Sequence, residues 1–132
     1  MANLNNKKLK KLLKSKSRLK IEQNPDLLLD ELIKSELFVP VIAIEDETID
    51  NETLNLQIGY FDEENGDRNI YLFTDTGEIE KAGYEIQSIA VKMNELSLIL
   101  SQFDAEFNYI VINPYGINPY KLDFNEFLKK LN

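Results

Sequence analysis

Residues 54–75 read "LNLQIGYFDEENGDRNIYLFTD", and this stretch decides the predicted fold. Over residues 54–61 apolar and polar side chains alternate, which is typical of a strand with one buried face. A second apolar run follows at residues 68–74. Between the two runs stands Asn65-Gly66, a dipeptide that favours a tight hairpin turn because both residue types tolerate a positive φ. The pattern therefore predicts two antiparallel neighbouring strands.

The residues upstream of this hairpin predict a helix followed by a strand. Residues 24–37, "NPDLLLDELIKSEL", offer Asn24 as a cap and place Pro25 at a favoured first helical position. Apolar side chains then recur at helical spacing and predict a buried stripe: Leu28, Leu29, Leu32 and Ile33. The run "LFVPVIAI" at residues 37–44 predicts a largely buried strand, in which Pro40 indicates an edge, a bulge or the strand's start.

Downstream of the hairpin, helices and strands alternate. Asp75 as a cap and Gly83 as a stop predict a short helix. The later segments predict a strand at 84–91, a helix at 94–103 capped by Asn94, a strand at 109–112 and a helix at 123–132 capped by Asp123. We expect residues 86–112 to form a right-handed parallel crossover. The predicted fold is α+β with α/β-like layers: a mixed sheet of about five strands with a β-hairpin and a right-handed βαβ unit, and helices packed on it.

The composition excludes several kinds of chemistry. The chain has no cysteine and no histidine, which excludes disulfides, thiol nucleophiles, Ser-His-Asp triads and zinc sites built from imidazole or thiolate. Acid–base chemistry would depend on carboxylates, Lys or Tyr. The acidic run at residues 62–67 lacks EF-hand spacing. We interpret it and the acidic run at residues 45–52 as solvated loops, and expect neither a metal nor a cofactor.

Charge is divided sharply along the chain. The first twenty residues carry eight Lys or Arg and no acid, whereas the rest carries seven Lys or Arg against all 23 Asp and Glu, a net charge of −16. We therefore divide the chain into a basic amphipathic helix or arm at residues 1–23 and a single domain at residues 24–132. Leucines recur close to helical spacing in the arm: Leu9, Leu12, Leu13 and Leu19. Three interpretations are open: a helix packed on the acidic body, a contact for an anionic membrane or RNA, and a disordered tail.

Apolar runs and charge also predict the location and the partners of the protein. No apolar run approaches the ~18 residues needed to span a bilayer, and the N-terminus lacks the uninterrupted apolar stretch of a secretory signal. We therefore expect a cytoplasmic protein. An acidic body disfavours nucleic acid, because phosphate contacts need Lys and Arg, so such a contact is expected only through the basic arm. The oligomeric state stays open.

Four stretches follow one another in a recognisable order: "LIKSELFVPV" (32–41), "LNLQIGYFDEENGDRNIYLFTD" (54–75), "SIAVKMNELSLIL" (88–100) and "IVINPYG" (110–116). In this order and spacing they resemble the N-terminal domain of the SseB family of enhanced-serine-sensitivity proteins, and the similarity covers roughly residues 27–131. Larger family members continue into a second domain, so a role that needs that domain is not implied. The resemblance implies the fold and a bacterial binding or regulatory module rather than an enzyme, because the family has no agreed catalytic mechanism.

The doubled tetrapeptide in "INPYGINPY" (112–120) allows two interpretations. As a structural signal, Pro114 disfavours helical backbone at Asn113 and ends the strand, while Gly116 permits a turn. As a functional signal, the strand ends where open α/β sheets place ligand crevices. Asp75 likewise either caps a helix or lines the same rim. The candidate ligand- or partner-binding residues are Phe73, Thr74, Asp75, Asn113, Pro114 and Tyr115, and no catalytic residue is assigned.

Three functions are compatible with this sequence. The one we favour is a non-catalytic cytoplasmic module that acts through a protein partner. The second is a small-molecule-sensing or hydrolytic domain that uses the strand-end rim. The third is an acidic immunity-type antagonist of a basic partner, which the charge of the body would suit.

Overall fold

The computed structural model describes residues 6–44, 55–100 and 107–131. Six α-helices lie in these ranges: α1 (Lys7–Leu13), α2 (Arg18–Gln23), α3 (Asp26–Ile33), α4 (Thr76–Glu80), α5 (Met93–Leu100) and α6 (Phe124–Leu131). Seven strands lie there as well: β1 (Glu36–Ile44), β2 (Asn55–Ile58), β3 (Tyr60–Asp62), β4 (Arg68–Leu72), β5 (Ser88–Lys92), β6 (Tyr109–Ile112) and β7 (Tyr120–Asp123). Within these ranges no helix is long and apolar enough to cross a membrane. The acidic loop predicted at 45–52, the strand residue Leu54 and the end of the helix predicted at 94–103 lie outside the described residues.

The strands form two sheets that are joined at one point. One sheet has the order β2-β1-β5, and the other has the order β3-β4-β6-β7. Phe38 of β1 donates its N–H to Phe73 O at 2.9 Å, and Phe73 N donates to Phe38 O at 3.0 Å. All neighbouring strands are antiparallel except β4 and β6, which are parallel. The predicted α+β class with mixed strand directions is confirmed, with seven strands rather than about five.

The predicted hairpin is confirmed, although its first strand is broken. β3 and β4 pair antiparallel across the turn, where Gly66 has a φ of +94°. The strand predicted at residues 54–61 divides at Gly59, because β2 pairs with β1 whereas β3 pairs with β4. Gly59 N donates to Pro40 O at 2.8 Å. This bond continues the contact between β1 and the hairpin at the point where the first strand divides.

The parallel pair contains a different strand from the one predicted. We expected residues 86–112 to form the crossover, but β5 pairs antiparallel with β1 and the parallel partner of β6 is β4. The connection between the parallel strands therefore passes through α4, β5 and α5. Periodicity in the sequence predicts a strand but not its neighbour, which explains the error. β7 was not predicted, because its four residues are too few for a clear alternation of apolar and polar side chains.

The main hydrophobic core lies between one face of the sheets and the helices α1, α2, α3, α5 and α6. Successive side chains of a strand point to opposite faces, so Ile70 and Leu72 of β4 enter this core together with Ile110 and Ile112 of β6. The helices contribute buried side chains that include Leu28, Leu29, Leu32, Leu96, Phe124 and Phe127. The predicted stripe on α3 is therefore confirmed, with Ile33 partly buried at its edge.

The described part of the basic arm, residues 6–23, is largely helical and packs on the body of the protein. Leu9 is fully buried, Leu13 nearly so and Leu12 partly, and all three pack in the main core. Leu19 is 65% exposed, so its predicted place in the same stripe is wrong. A 3₁₀ turn at Ser15–Ser17 separates α1 from α2 and interrupts the helical spacing. Of the three interpretations of the arm, its described residues adopt the packed helix.

Two of the four predicted helix caps are confirmed. The Asp75 and Asp123 carboxylates each accept backbone N–H groups from the first turns of α4 and α6. Asn24 is not a side-chain cap, because Pro25 stands at the capping position of α3 and no side chain bonds there. Asn94 is the second residue of α5, so it does not precede the helix.

Candidate functional site

The parallel pairing of β4 and β6 brings two predicted segments together. Leu72 at the end of β4 lies opposite Ile112 at the end of β6. Because the strands run in the same direction, their carboxyl ends meet at one edge of the sheet. The residues that follow each strand are therefore neighbours. We call this cluster the strand-end rim, and it contains all six candidate residues: Phe73, Thr74, Asp75, Asn113, Pro114 and Tyr115.

Thr74 and Asn113 are buried and hydrogen-bonded to each other at the centre of the rim. Asn113 Oδ1 accepts from Thr74 N at 3.0 Å, and Asn113 Nδ2 donates to Thr74 Oγ1 at 3.1 Å. Asn113 N donates to Leu72 O at 2.8 Å. The φ of Asn113 is +52°, a left-handed conformation that Asn adopts more readily than most residues. These polar groups are engaged within the protein and stabilise the end of β6.

The arm closes one side of the rim. Asn6 Nδ2 donates to Thr74 O at 2.8 Å and to Glu36 O at 3.0 Å. Lys10 Nζ lies 2.6 Å from Asp75 Oδ2. Sequence reasoning did not assign Asn6 or Lys10 to the rim, because 68 positions separate Asn6 from Thr74 and no local pattern reports such a contact.

Asp75 both caps α4 and pairs with the arm. Its Oδ1 accepts from Glu78 N at 2.9 Å, and its Oδ2 accepts from Thr74 Oγ1 at 3.3 Å. Partial burial by itself raises the pKa of Asp75, but the hydrogen bonds from Lys10, Glu78 and Thr74 together outweigh burial and bring the pKa below its ordinary value of 3.8. Asp75 is therefore ionised at neutral pH, and its charge holds α1 against α4.

Replacing Asp75 with Asn is expected to remove the ion pair with Lys10 while keeping a good helix cap. The pKa of Asp75 is lower in the folded protein than in the unfolded chain. The carboxylate therefore stabilises the fold above about pH 4, and this contribution is lost as the pH falls through the folded pKa. At pH 7 we expect the variant to be less stable by under about 1 kcal/mol, because the pair is partly exposed.

Urea denaturation of wild type and Asp75→Asn at neutral and acidic pH measures this effect. The difference in unfolding free energy should shrink as the pH falls below 3.8. A difference that stays constant down to about pH 2 would contradict the assigned role of the carboxylate.

Partly exposed aromatic rings extend from the rim over the sheet face opposite the main core. Phe61 of β3 stacks on Tyr71 of β4 with 4.1 Å between ring centroids. Tyr71 and Tyr84 contact the Tyr115 ring edge-on at 6.0 and 6.1 Å. The hydroxyls of Tyr84 and Tyr115 are hydrogen-bonded at 2.6 Å. Tyr84 is 53% exposed and the other rings are half-buried. We call these four side chains the aromatic patch: Phe61, Tyr71, Tyr84 and Tyr115.

Phe73 supports this patch from below. Its ring is fully buried and stacks on Tyr115 with 6.3 Å between centroids. Sequence reasoning included Phe73 and Tyr115 in the candidate site but missed Phe61, Tyr71 and Tyr84. A period-two count along the hairpin could have found the first two, because they alternate with residues of the core face. Tyr84 follows α4 in an irregular segment, where periodicity gives no signal.

The phenols of Tyr71 and Tyr115 stay protonated at neutral pH. Burial, followed by the hydrogen bond to Tyr84 and the proximity of Tyr71, raises the pKa of Tyr115 far above its ordinary value of 10.0. Burial is also the main cause that raises the pKa of Tyr71. These groups can therefore offer ring surface and hydrogen bonds, whereas a general base needs a group that loses its proton near pH 7.

A small hollow lies beside the rim, where the loop after β6 meets α1. Its volume is about 170 Å³, and its walls include Lys10, Lys14, Glu78, Asn113 and Ile117. Small-molecule sites usually measure about 300–1,000 Å³. The hollow is thus smaller than a typical ligand pocket.

Glu63 of the acidic turn at residues 62–67 forms polar contacts within the protein. Glu63 Oε1 accepts from Asn69 Nδ2 at 2.7 Å and from Lys121 Nζ at 3.2 Å. These two hydrogen bonds are the main causes that lower the pKa of Glu63. The run was interpreted as a solvated loop: Asp62 and Glu64 are exposed, whereas Glu63 is held by these contacts.

The geometry defines a class of protein: a mixed α+β domain whose strand-end polar groups bond to one another and whose aromatic side chains form a surface patch beside them. The family model of the SseB protein N-terminal domain matches residues 9–126. The chain therefore belongs to the SseB family, as the sequence resemblance indicated. Comparison with curated proteins and with solved structures gives no match.

Proposed function

We propose that this SseB-family domain is a non-catalytic, cytoplasmic regulatory module that binds another protein through the aromatic patch. The observation that carries the proposal is the continuous contact among four partly exposed rings, of which Tyr84 is 53% exposed. Aromatic side chains are enriched at the centres of protein interfaces, because they bury a large area with few rotatable bonds. A patch of this kind on the surface of a small domain suits a protein partner.

The rim and the patch have different roles in this proposal. Phe73, Thr74 and Asn113 are buried and hold the end of β6 in place. Tyr115 belongs to both the strand-end rim and the aromatic patch, because its ring stacks on Phe73 and its hydroxyl bonds to Tyr84. We therefore assign direct partner contacts to the aromatic patch, and a structural role to the buried rim residues.

The same geometry gives less support to a small-molecule or hydrolytic role. The polar atoms of Thr74 and Asn113 bond to each other rather than converge on an open cavity. The adjacent hollow of about 170 Å³ is small for a substrate. The acidic immunity-type antagonist is a second candidate, because the net charge of −16 outside the first twenty residues favours a basic partner.

Tyr84→Ala is expected to weaken binding to the partner by at least about tenfold, because truncating a central aromatic contact commonly costs more than 1–2 kcal/mol. Tyr60→Ala is the matched control. Tyr60 is 42% exposed but lies on the other face of β3, against Arg68 and Phe107. Tyr84→Phe keeps the ring and removes only the hydroxyl, which separates ring contact from hydrogen bonding.

Quantitative affinity purification from the native host with mass spectrometry, using all four proteins as bait, identifies the partner and measures these effects. Circular dichroism confirms that the baits are folded. A partner recovered equally with wild type, Tyr84→Ala and Tyr60→Ala would refute the assignment to the patch. A partner that carries excess positive charge and whose enzymatic activity is inhibited by wild type would favour the antagonist.

A further inference from the structure

We propose that the exposed lysines of α1 and the turn that follows it dock this protein on an anionic membrane surface. This contact uses a different surface from the aromatic patch and does not depend on the proposed protein partner. The exposed lysines result from the amphipathic character of α1, which has an apolar face and a basic face. Leu9 and Leu13 enter the core, so the lysines are left on the outside.

Five exposed lysines surround one open hollow on this side of the molecule. The hollow measures about 430 Å³ and is lined by Lys7, Lys10, Lys11, Lys14 and Lys16. We call these five side chains the lysine face. All of them are exposed.

Most of this positive charge is uncompensated. Lys10 pairs with Asp75 at 2.6 Å. For the other four, no carboxylate lies within ion-pair distance among the residues that the structure describes. Four uncompensated charges within residues 7–16 form a concentrated positive surface. Each lysine held near an anionic bilayer contributes about 1 kcal/mol of binding, or about a fivefold increase in affinity.

An exposed aliphatic side chain stands next to the lysine face. Ile117 is 89% exposed and lines the smaller hollow together with Lys10 and Lys14. Its loop is held against the arm, where Arg18 lies over the Tyr120 ring at 4.8 Å and contacts Pro119 O at 3.5 Å. Basic residues beside a protruding aliphatic side chain suit the headgroup region, where charge attracts lipid and the aliphatic group enters the acyl boundary.

The phosphates of a single-stranded RNA could bind the same lysines, but RNA offers no apolar environment for the side chain of Ile117. Proteins that bind single strands stack bases on aromatic rings, whereas the side chain at the edge of this face is Ile117. The remainder of the chain, with a net charge of −16, is repelled by any anionic surface. Repulsion from the body therefore favours one orientation, with the lysine face toward the membrane.

Co-sedimentation with vesicles of phosphatidylcholine, with and without phosphatidylserine, tests the proposal. Wild type should bind the phosphatidylserine vesicles, release as NaCl is raised, and bind pure phosphatidylcholine poorly. Lys11→Gln/Lys14→Gln should weaken binding on the order of 25-fold. Lys92→Gln/Lys129→Gln changes the net charge equally outside the lysine face and should have little effect. Ile117→Ser should weaken binding roughly fivefold without changing its salt dependence.

Four results would overturn the proposal. Wild type could fail to bind the phosphatidylserine vesicles, or the two double variants could lose binding equally, which would indicate a general charge effect. Ile117→Ser could bind as wild type does. Tighter binding to a single-stranded RNA than to the vesicles at equal salt would assign the lysine face to nucleic acid instead. Circular dichroism of each variant establishes that the fold is retained.

Discussion

Deleting residues 1–20 is expected to lower the free energy of unfolding by about 3–6 kcal/mol. The deletion removes Leu9 and Leu13, which are fully and almost fully buried, and each buried leucine contributes roughly 1.5–3 kcal/mol. It also removes Asn6, whose amide bonds to Thr74 O. Domains are typically stable by only 5–15 kcal/mol. We therefore expect a truncated chain that folds but melts at a much lower temperature.

Two point variants that leave the charge of the arm unchanged compare the loss of a buried leucine with that of an exposed one. Leu9→Ala should cost about 2–5 kcal/mol because it leaves a cavity in the core. Leu19→Ala, at a leucine of the same arm that is 65% exposed, should stay within about 0.5 kcal/mol of wild type. Urea denaturation and thermal melting followed by circular dichroism measure all three proteins. An unchanged melting temperature after deletion would mean that α1 does not contribute to the core. Complete unfolding would contradict the prediction of a separately folded domain at residues 24–132.

Asn113→Ala is expected to destabilise the protein by about 2–4 kcal/mol. The amide supplies the acceptor for Thr74 N, which is buried and would lose its partner. An unsatisfied buried donor costs about 1–3 kcal/mol. Alanine must also adopt the φ of +52° at this position, which adds about 1 kcal/mol for a residue with a Cβ and no local hydrogen bond.

Different substitutions at Asn113 separate the destabilisation due to lost hydrogen bonds from that due to the left-handed backbone. Asn113→Gly removes the hydrogen bonds but tolerates the left-handed backbone, so it should be less destabilising than alanine by about 1 kcal/mol. Equal losses for alanine and glycine would show that backbone strain contributes nothing. A melting temperature unchanged by both would remove Asn113 from the structural account of the rim. Loss of partner binding in a variant of unchanged stability would make Asn113 a contact residue instead.

The sequence predicted those features that are specified by neighbouring residues. Alternation and Asn65-Gly66 gave the hairpin, and the aspartates at 75 and 123 gave two caps, because each signal acts within a few residues. The apolar stripe of α3 was predicted for the same reason. The pairing of β6 with β4 was not predicted. Which strands pair depends on burying side chains that are distant in sequence, and no local pattern reports this.

The candidate site shows the same division between local and distant information. Thr74 and Asn113 were placed on one rim because both follow a strand, and they are hydrogen-bonded to each other. Their actual proximity depends on the pairing of β4 with β6, which was not predicted. The contributions of Asn6 and Lys10 come from a segment more than sixty positions earlier. Periodicity carries no information about such contacts.

The contacts of the arm have a consequence for the growing polypeptide on the ribosome. Asn6 bonds to a residue 68 positions later, and Arg18 bonds to one 101 positions later. A ribosome adds about 5–20 residues per second, so several seconds pass between the synthesis of α1 and that of the loop that Arg18 contacts. The eight basic residues of the first twenty positions are therefore synthesised before any of the 23 acids, all of which follow residue 20. The contact between Arg18 and Pro119 can therefore form only after residue 119 has been synthesised, long after the residues of α1.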